Sequence, residues 1–266
     1  MNNKFFLQLS VMLLLPALLI AQSVTLKPLC NANFARGSSR FVQMNGTLYA
    51  LDMNNAVHKI NLSSGTHSRL GKEWFPFSGY FFGVRNRLFI VEADGSMKQI
   101  DTATGVSQIV APMNSFSEIS RVVPLGQNLF TIRNGVLCHH PTLQLNKYKE
   151  IGEAEFFNVT VLLLADSSLH TVIGKTLYEI DTYTGKWKKI CSDKGFSNYR
   201  TGAVIGNKLF TIENPAALVE TSLPDGKRKQ LDAAQFQKAW ILFADSGRLY
   251  CLTTDYELFE VLVGSE

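Results

Sequence analysis

From residue 22 onward short apolar runs alternate with polar turns, and the alternation keeps a fixed beat. A Leu followed by an aromatic residue or His, then a small or β-branched residue, then an aliphatic one, occurs six times: Leu48-Tyr49, Leu88-Phe89, Leu129-Phe130, Leu169-His170, Leu209-Phe210 and Leu249-Tyr250. Successive Leu residues lie 40, 41, 40, 40 and 40 positions apart. A period of that length marks stacked supersecondary units, and it decides the fold before any local element is assigned.

Other positions keep the same register. Phe75, Phe116, Phe156, Phe196 and Phe236 lie thirteen residues before the Leu of their units, and Phe34 lies fourteen before the first. Each Leu follows a polar or Gly pair, Asn45-Gly46, Arg85-Asn86, Gly126-Gln127, Asp166-Ser167, Gly206-Asn207 or Ser246-Gly247, the composition of a tight hairpin. A further strand follows in His58-Lys59-Ile60-Asn61, Lys98-Gln99-Ile100-Asp101, Tyr178-Glu179-Ile180-Asp181 and Phe259-Glu260-Val261. A second turn, Ser64-Gly65, Thr104-Gly105, Thr184-Gly185 or Asp225-Gly226, leads into a short outer strand ending at Leu70, Ile109, Ile190 or Leu231. The pattern predicts units of four strands that start near Arg40, Tyr80, Arg121, Val161, Thr201 and Trp240.

Units this small cannot cover both of their own faces, so they pack on one another in an open array or a closed ring. The chain ends select the ring. The sixth unit stops at Gly264-Ser265-Glu266 after its third strand, while an extra strand, Val24-Thr25-Leu26-Lys27-Pro28-Leu29-Cys30, precedes Phe34 as Trp187-Lys188-Lys189-Ile190-Cys191 precedes Phe196. The prediction is therefore an all-β, six-bladed β-propeller of four-stranded blades, its ring closed by the N-terminal strand as the outer strand of blade six. Closure removes the exposed end faces of an open array. The Leu-Tyr elements and the Asp-x-x-Thr-Gly turns, Asp101 to Gly105 and Asp181 to Gly185, resemble those of the broad group of secreted six-bladed propellers that includes TolB-like, NHL and YWTD-type domains. The resemblance covers nearly the whole mature chain and implies the architecture. The Leu-aromatic-x-aliphatic column departs from the YWTD pattern, so no function carries over residue by residue. Five-bladed lectin propellers of the tachylectin type have a similar repeat length, but six Leu columns call for six blades.

The first 21 residues carry Lys4, an apolar stretch from Val11 to Ala21 and the small-residue junction Ala21-Gln22-Ser23, the pattern of an export signal. Gln8 and Ser10 interrupt it, which disfavours a membrane anchor. Residues 22–266 then form one mature propeller domain, secreted or periplasmic, with no span left after cleavage. The net charge is +4, with 26 Lys and Arg against 22 Asp and Glu. That balance is too small to make nucleic acid the main partner. The 4 Cys fall in strands of different blades, or, for Cys30 and Cys251, in one blade with a strand between them. They are expected as free thiols packed as small hydrophobes. No CxxC, no Gly-rich phosphate loop, no Gly-x-Ser-x-Gly and no His-Glu-x-x-His occurs, so no cofactor or metal is called for.

In a propeller, ligands meet the loops that start each innermost strand and those joining the second and third strands. At the first position lie Arg40, Tyr80, Arg121, Thr160, Arg200 and Trp240, with Tyr199 and Lys238 beside them. We take Arg40, Tyr80, Arg121, Tyr199, Arg200 and Trp240 as candidate ligand-binding residues, because aromatic faces suit sugar rings or peptide side chains and Arg forks suit anions. At the end of the second strand lie Asp52, Glu92, Arg133, Ile173, Glu213 and Thr253. Three carboxylates in that column admit a calcium-dependent hydrolase or lactonase as the alternative, against ion pairing as the plainer role. His170 fills the aromatic column as a packed ring, His139 and His140 point to opposite faces of one strand, and His58 and His67 read as surface polar residues. The repeated Phe reads as a wedge between blades. The function expected is a non-enzymatic, monomeric propeller that binds a partner protein or a glycan at the channel mouth.

Overall fold

The forty-residue period folds into six four-stranded antiparallel sheets. A computed structural model describes residues 24–33, 40–76, 78–116, 119–125, 128–141, 147–153, 155–157, 159, 162–165, 168–214, 216–232 and 234–264. The predicted export signal, Phe34, Thr160, the predicted blade-four start Val161 and the turn pairs Gly126-Gln127 and Asp166-Ser167 lie outside them. From the innermost strand outward, blade one comprises Phe41–Met44, Thr47–Leu51, Val57–Asn61 and His67–Arg69, and blade two Ser78–Val84, Arg87–Glu92, Met97–Ile100 and Ser107–Ala111. Blade three comprises Ile119–Leu125, Asn128–Arg133, Val136–His140 and Lys149–Ile151, and blade four Leu162–Ala165, Ser168–Ile173, Thr176–Ile180 and Trp187–Ser192. Blade five comprises Tyr199–Ile205, Lys208–Glu213, Ala217–Ser222 and Arg228–Asp232. Blade six takes Ala239–Asp245, Arg248–Thr253 and Glu257–Val263 from the C-terminus and Val24–Asn31 from the N-terminus. The chain is a six-bladed β-propeller. Among the described residues no helix is long and apolar enough to cross a membrane.

Closure follows the prediction. The N-terminal strand pairs antiparallel with the third strand of blade six, from Val24 opposite Val263 to Asn31 opposite Glu257. Lys27 Nζ reaches Glu260 at 3.0 Å, and Gln235 Nε2 in the preceding loop donates to the Val24 carbonyl at 3.2 Å. The turn glycines show that this strand holds the same slot as the outer strands of blades one, three and four. Gly105 abuts Gly71 beyond the outer strand of blade one, Gly185 abuts Gly152, and Gly226 abuts Cys191, each in the preceding blade; Gly65 of blade one abuts Leu29 of the N-terminal strand in the same manner. All of these glycines, Gly71 and Gly152 included, have positive φ. Two constraints thus fix Gly here, a left-handed backbone and a neighbouring blade where Cβ would stand, its main chain in most cases and the Cys191 side chain at Gly226.

The core is six interfaces between adjacent blades. Leu48, Ala50, Tyr250 and Leu252 join blades one and six, Leu51, Phe75, Leu88 and Ile90 join blades one and two, and Ala203, Phe210, Leu242 and Leu249 join blades five and six. Alternation along each second strand produces this, since neighbouring side chains face opposite blades. Phe75, Phe116, Phe156, Phe196 and Phe236 are each 1–4% exposed and belong to these interfaces, the wedge role expected of them.

Strand ends depart from the prediction in one systematic way. The outer strands of blades two, four and five run past Ile109, Ile190 and the predicted Leu231 stop, to Ala111, Ser192 and Asp232. A register shift leaves Val110, Ile190 and Leu231 unpaired. Each is a β-bulge, which accommodates one extra residue and bends the free edge. The N-terminal strand has its shift between Pro28 and Cys30, which makes it an outer strand in this detail too.

Candidate ligand-binding face

The two position classes lie on one face of the ring, because the start of each innermost strand pairs with the end of the second. Ser78 opposes Glu92, Ile119 opposes Arg133, Tyr199 opposes Glu213 and Ala239 opposes Thr253. Directly after each of these pairs the register shifts, and the residue skipped is Gly79, Ser120, Arg200 or Trp240. Of the six starting positions counted along the sequence, the five among the described residues fall into two classes. Arg40, Tyr80 and Arg121 oppose Leu51, Val91 and Ile132, whereas Arg200 and Trp240 occupy the bulge one residue earlier. The residue of blade six in the column of Tyr80 and Arg121 is Ile241, which corrects the predicted start at Trp240 by one position.

Two candidates act as braces between blades. Tyr80 Oη donates to the Ile119 carbonyl of blade three at 2.5 Å, and Arg200 donates to the Ala239 carbonyl of blade six at 2.9 Å and to Gln237 O at 3.3 Å. Both acceptors directly precede a bulge, so one fold feature receives a phenol in one place and a guanidinium in another. Trp240 is half-buried, edge-on to Phe41 at 5.6 Å and to Tyr256 at 5.9 Å. Burial raises the Tyr199 phenol above its ordinary pKa. Arg121 is exposed, and its Nη1 donates to the Ser120 carbonyl at 2.7 Å. Arg40 is half-buried at the start of blade one. Lys238 pairs with Asp255.

The carboxylate column is held by basic partners within or next to its own blade. Asp52 accepts from Asn54 N and Ala56 N at 2.8 and 2.9 Å and meets His58 Nε2 at 3.0 Å. His58, expected as a surface polar residue, is instead half-buried in this pair, because the second and third strands place residues 52 and 58 side by side across their turn. Glu92 pairs with Lys98 at 2.8 Å in the same geometry. Glu213 is buried, accepts from Thr211 Oγ1 at 2.8 Å and pairs with Arg228 of the outer strand, which also binds Asp193 and lies over the Phe196 ring at 4.3 Å. Arg133 stacks over Tyr148 at 4.9 Å, and Thr253 Oγ1 accepts from Glu257 N at 3.1 Å. Among the described residues no three His, Cys, Asp or Glu side chains gather as a metal-ligand set. The spacing of six from Asp52 to His58 and from Glu92 to Lys98 was present in the sequence; nothing local pointed to Arg228.

The remaining singled-out residues are structural. His140 is fully buried with Nε2 2.9 Å from Thr131 Oγ1, and burial, then Arg133 and His139, push its pKa down to about 4. His139 faces the other way and stacks on Phe130 at 4.9 Å. His170 is 3% exposed, and burial lowers its pKa as well. Cys30, Cys138, Cys191 and Cys251 are free thiols; burial pushes the pKa of Cys251 up to about 12.

No family model matches the chain, and no curated protein matches it. Many solved structures share its fold. A protein of unknown function from Bacteroides thetaiotaomicron aligns with a TM-score of 0.60 at 12% identity, covering 91% of this chain and 76% of that one. YCF48 bound to D1 peptide aligns at 0.57 and 10% identity over 86% and 79%. A catalytically inactive virginiamycin B lyase from Staphylococcus aureus with quinupristin aligns at 0.55 and 13% identity over 90% and 88%. At these identities the likeness is one of fold, and the neighbours' activities differ from one another.

Proposed function

We propose that residues 22–266 form an exported, monomeric, non-enzymatic propeller that holds an anionic segment of a partner protein at the face carrying Arg40, Arg121 and Arg200. One observation supports this reading above the others: the charges of that face are sorted. Asp52, Glu92 and Glu213 each sit against a basic side chain, while Arg121 and Arg200 bind backbone carbonyls, which fix a guanidinium without neutralising it. A guanidinium held in this way offers its remaining donors and its full charge to an incoming carboxylate. The peptide seen with YCF48 is a use of the same fold that this reading shares. Aromatic residues beside the Arg groups, Tyr199 and Trp240, supply the apolar part of the contact.

The test is calorimetric titration of the mature chain with acidic peptides and with their Gln/Asn counterparts. The acidic peptides bind with an affinity that falls with salt, and Arg121→Ala weakens them about tenfold. Equal binding of the uncharged counterparts, or an Arg121→Ala variant that binds as the parent does, overturns the proposal. A uronate or sulfated glycan bound in place of every acidic peptide moves the partner class from protein to glycan. N-terminal sequencing of exported protein checks the cleavage after Ala21, and light scattering checks the monomer.

A further inference from the structure

Away from the channel mouth, the turn between the third and outer strands creates a hollow that recurs in three blades. It measures about 440 Å³ in blade one, beside Lys59, Asn61 and His67, about 250 Å³ in blade two, beside Gln99, Asp101 and Gln108, and about 530 Å³ in blade four. The hollow belongs to the fold, since the same turn builds it each time: Asn61, Asp101 or Asp181 accepts from the backbone amides two and three residues on. What is particular to blade four is the set of side chains that line it.

Two aromatic residues stand there, Tyr183 at the turn, 86% exposed, and Trp187 at the start of the outer strand. Phe156 at 5.0 Å and Tyr178 at 5.5 Å pack against the indole and hold it in place. Trp187 also lines a second cleft of about 300 Å³, with Glu155, Ile173 and Tyr178, so open space adjoins this one residue in two directions. The charged lining is balanced, Glu179 and Asp181 against Lys186 and Lys188, and Lys188 Nζ meets Glu179 Oε2 at 3.0 Å. Blades one and two place His67 and Ser107 where blade four has Trp187, and Ser63 and Ala103 where it has Tyr183.

A fixed aromatic side chain, a zero net charge and a dense set of donors and acceptors suit one kind of ligand. Apolar C–H surface of a pyranose packs on aromatic rings, and its hydroxyls exchange hydrogen bonds with a carboxylate and an ammonium that already face each other. The exposed Glu179–Lys188 pair and the matched Asp181 and Lys186 leave no net charge to attract an ionic ligand, and a purely apolar ligand would cover these polar groups without replacing their hydrogen bonds to water. The clefts fall in the size range of small-molecule sites. We propose that the outer rim of blade four is a binding site for a neutral oligosaccharide, separate from the mouth and independent of the reading given for it.

The experiment titrates cellohexaose, xylohexaose, maltohexaose and chitohexaose into the mature chain, followed by calorimetry and Trp emission. At least one of the four binds, Tyr183→Ala and Lys188→Ala each weaken it about tenfold, and both variants melt as the parent does because the side chains are exposed. Trp187→Phe keeps the packing against Phe156 and removes the indole signal. Arg121→Ala, at the mouth, leaves the affinity unchanged. The proposal is overturned if none of the four sugars gives heat or an emission change at millimolar concentration, or if binding survives Tyr183→Ala. Binding lost in Arg121→Ala and kept in Lys188→Ala also overturns it, by placing the sugar at the mouth.

Discussion

Gly65→Ala tests ring closure with a single methyl group. Gly65 has φ +71°, and a Cβ added there lands well inside van der Waals contact of the Leu29 carbonyl, in the strand that joins the two chain ends. Gly46 has φ +72° with nothing within 4 Å of an added Cβ, so Gly46→Ala carries the same backbone strain without the contact. Strain of this kind costs about 1 kcal/mol, or about 2–4 °C in Tm for a domain of this size. Gly65→Ala adds the displacement of the N-terminal strand, a further 1–3 kcal/mol by analogy with overpacked cores, roughly. The expected loss is then roughly 10 °C against about 3 °C for the control, read by differential scanning calorimetry on both variants. The reasoning fails if the two variants melt within about a degree of each other, because the N-terminal strand then contributes nothing that depends on its seat against blade one.

Arg228→Ala leaves Glu213 buried without its cation and should cost about 3–5 kcal/mol, measured by urea unfolding; a loss under about 1 kcal/mol refutes the reading of that pair as a bound unit. The pKa of His140 is lower in the folded than in the unfolded chain, about 4 against 6.5, so its stabilising contribution is complete above about pH 6.5 and is lost as pH falls toward 4. That difference amounts to about 3 kcal/mol; unfolding free energies across this window should show it, and His140→Gln should reduce the slope, leaving a smaller part from His170, whose pKa burial also lowers. Thiol labelling of the native protein should modify the half-buried Cys30 and Cys191 before the buried Cys138 and Cys251, and uniform labelling rates would contradict the burial order.

The sequence by itself determined the number of blades, the four strands of each and the closing strand. Those features depend on residues that act locally: the Leu column, the Asn-Gly and Ser-Gly pairs whose positive φ makes a two-residue hairpin, and the Asp-x-x-Thr-Gly turns. The Phe wedge was equally legible, because a position filled alike in every unit must answer to what the units share. Tertiary structure alone decided the bulges: Gly79, Ser120, Arg200 and Trp240 are skipped alike in their blades, and a period near forty absorbs that extra residue without any sign in the spacing. That Arg200 and Trp240 stand nine residues before their Leu, and Tyr80 and Arg121 eight, was already countable in the sequence. Tertiary structure also decided the partners. Tyr80 and Ile119 lie 39 residues apart, and Gly46 and Asp245, which share a 3.1 Å hydrogen bond across the closing seam, lie 199 apart. Chemistry in a ring of stacked blades is made between units, where the sequence records each side chain and the fold alone supplies the distance.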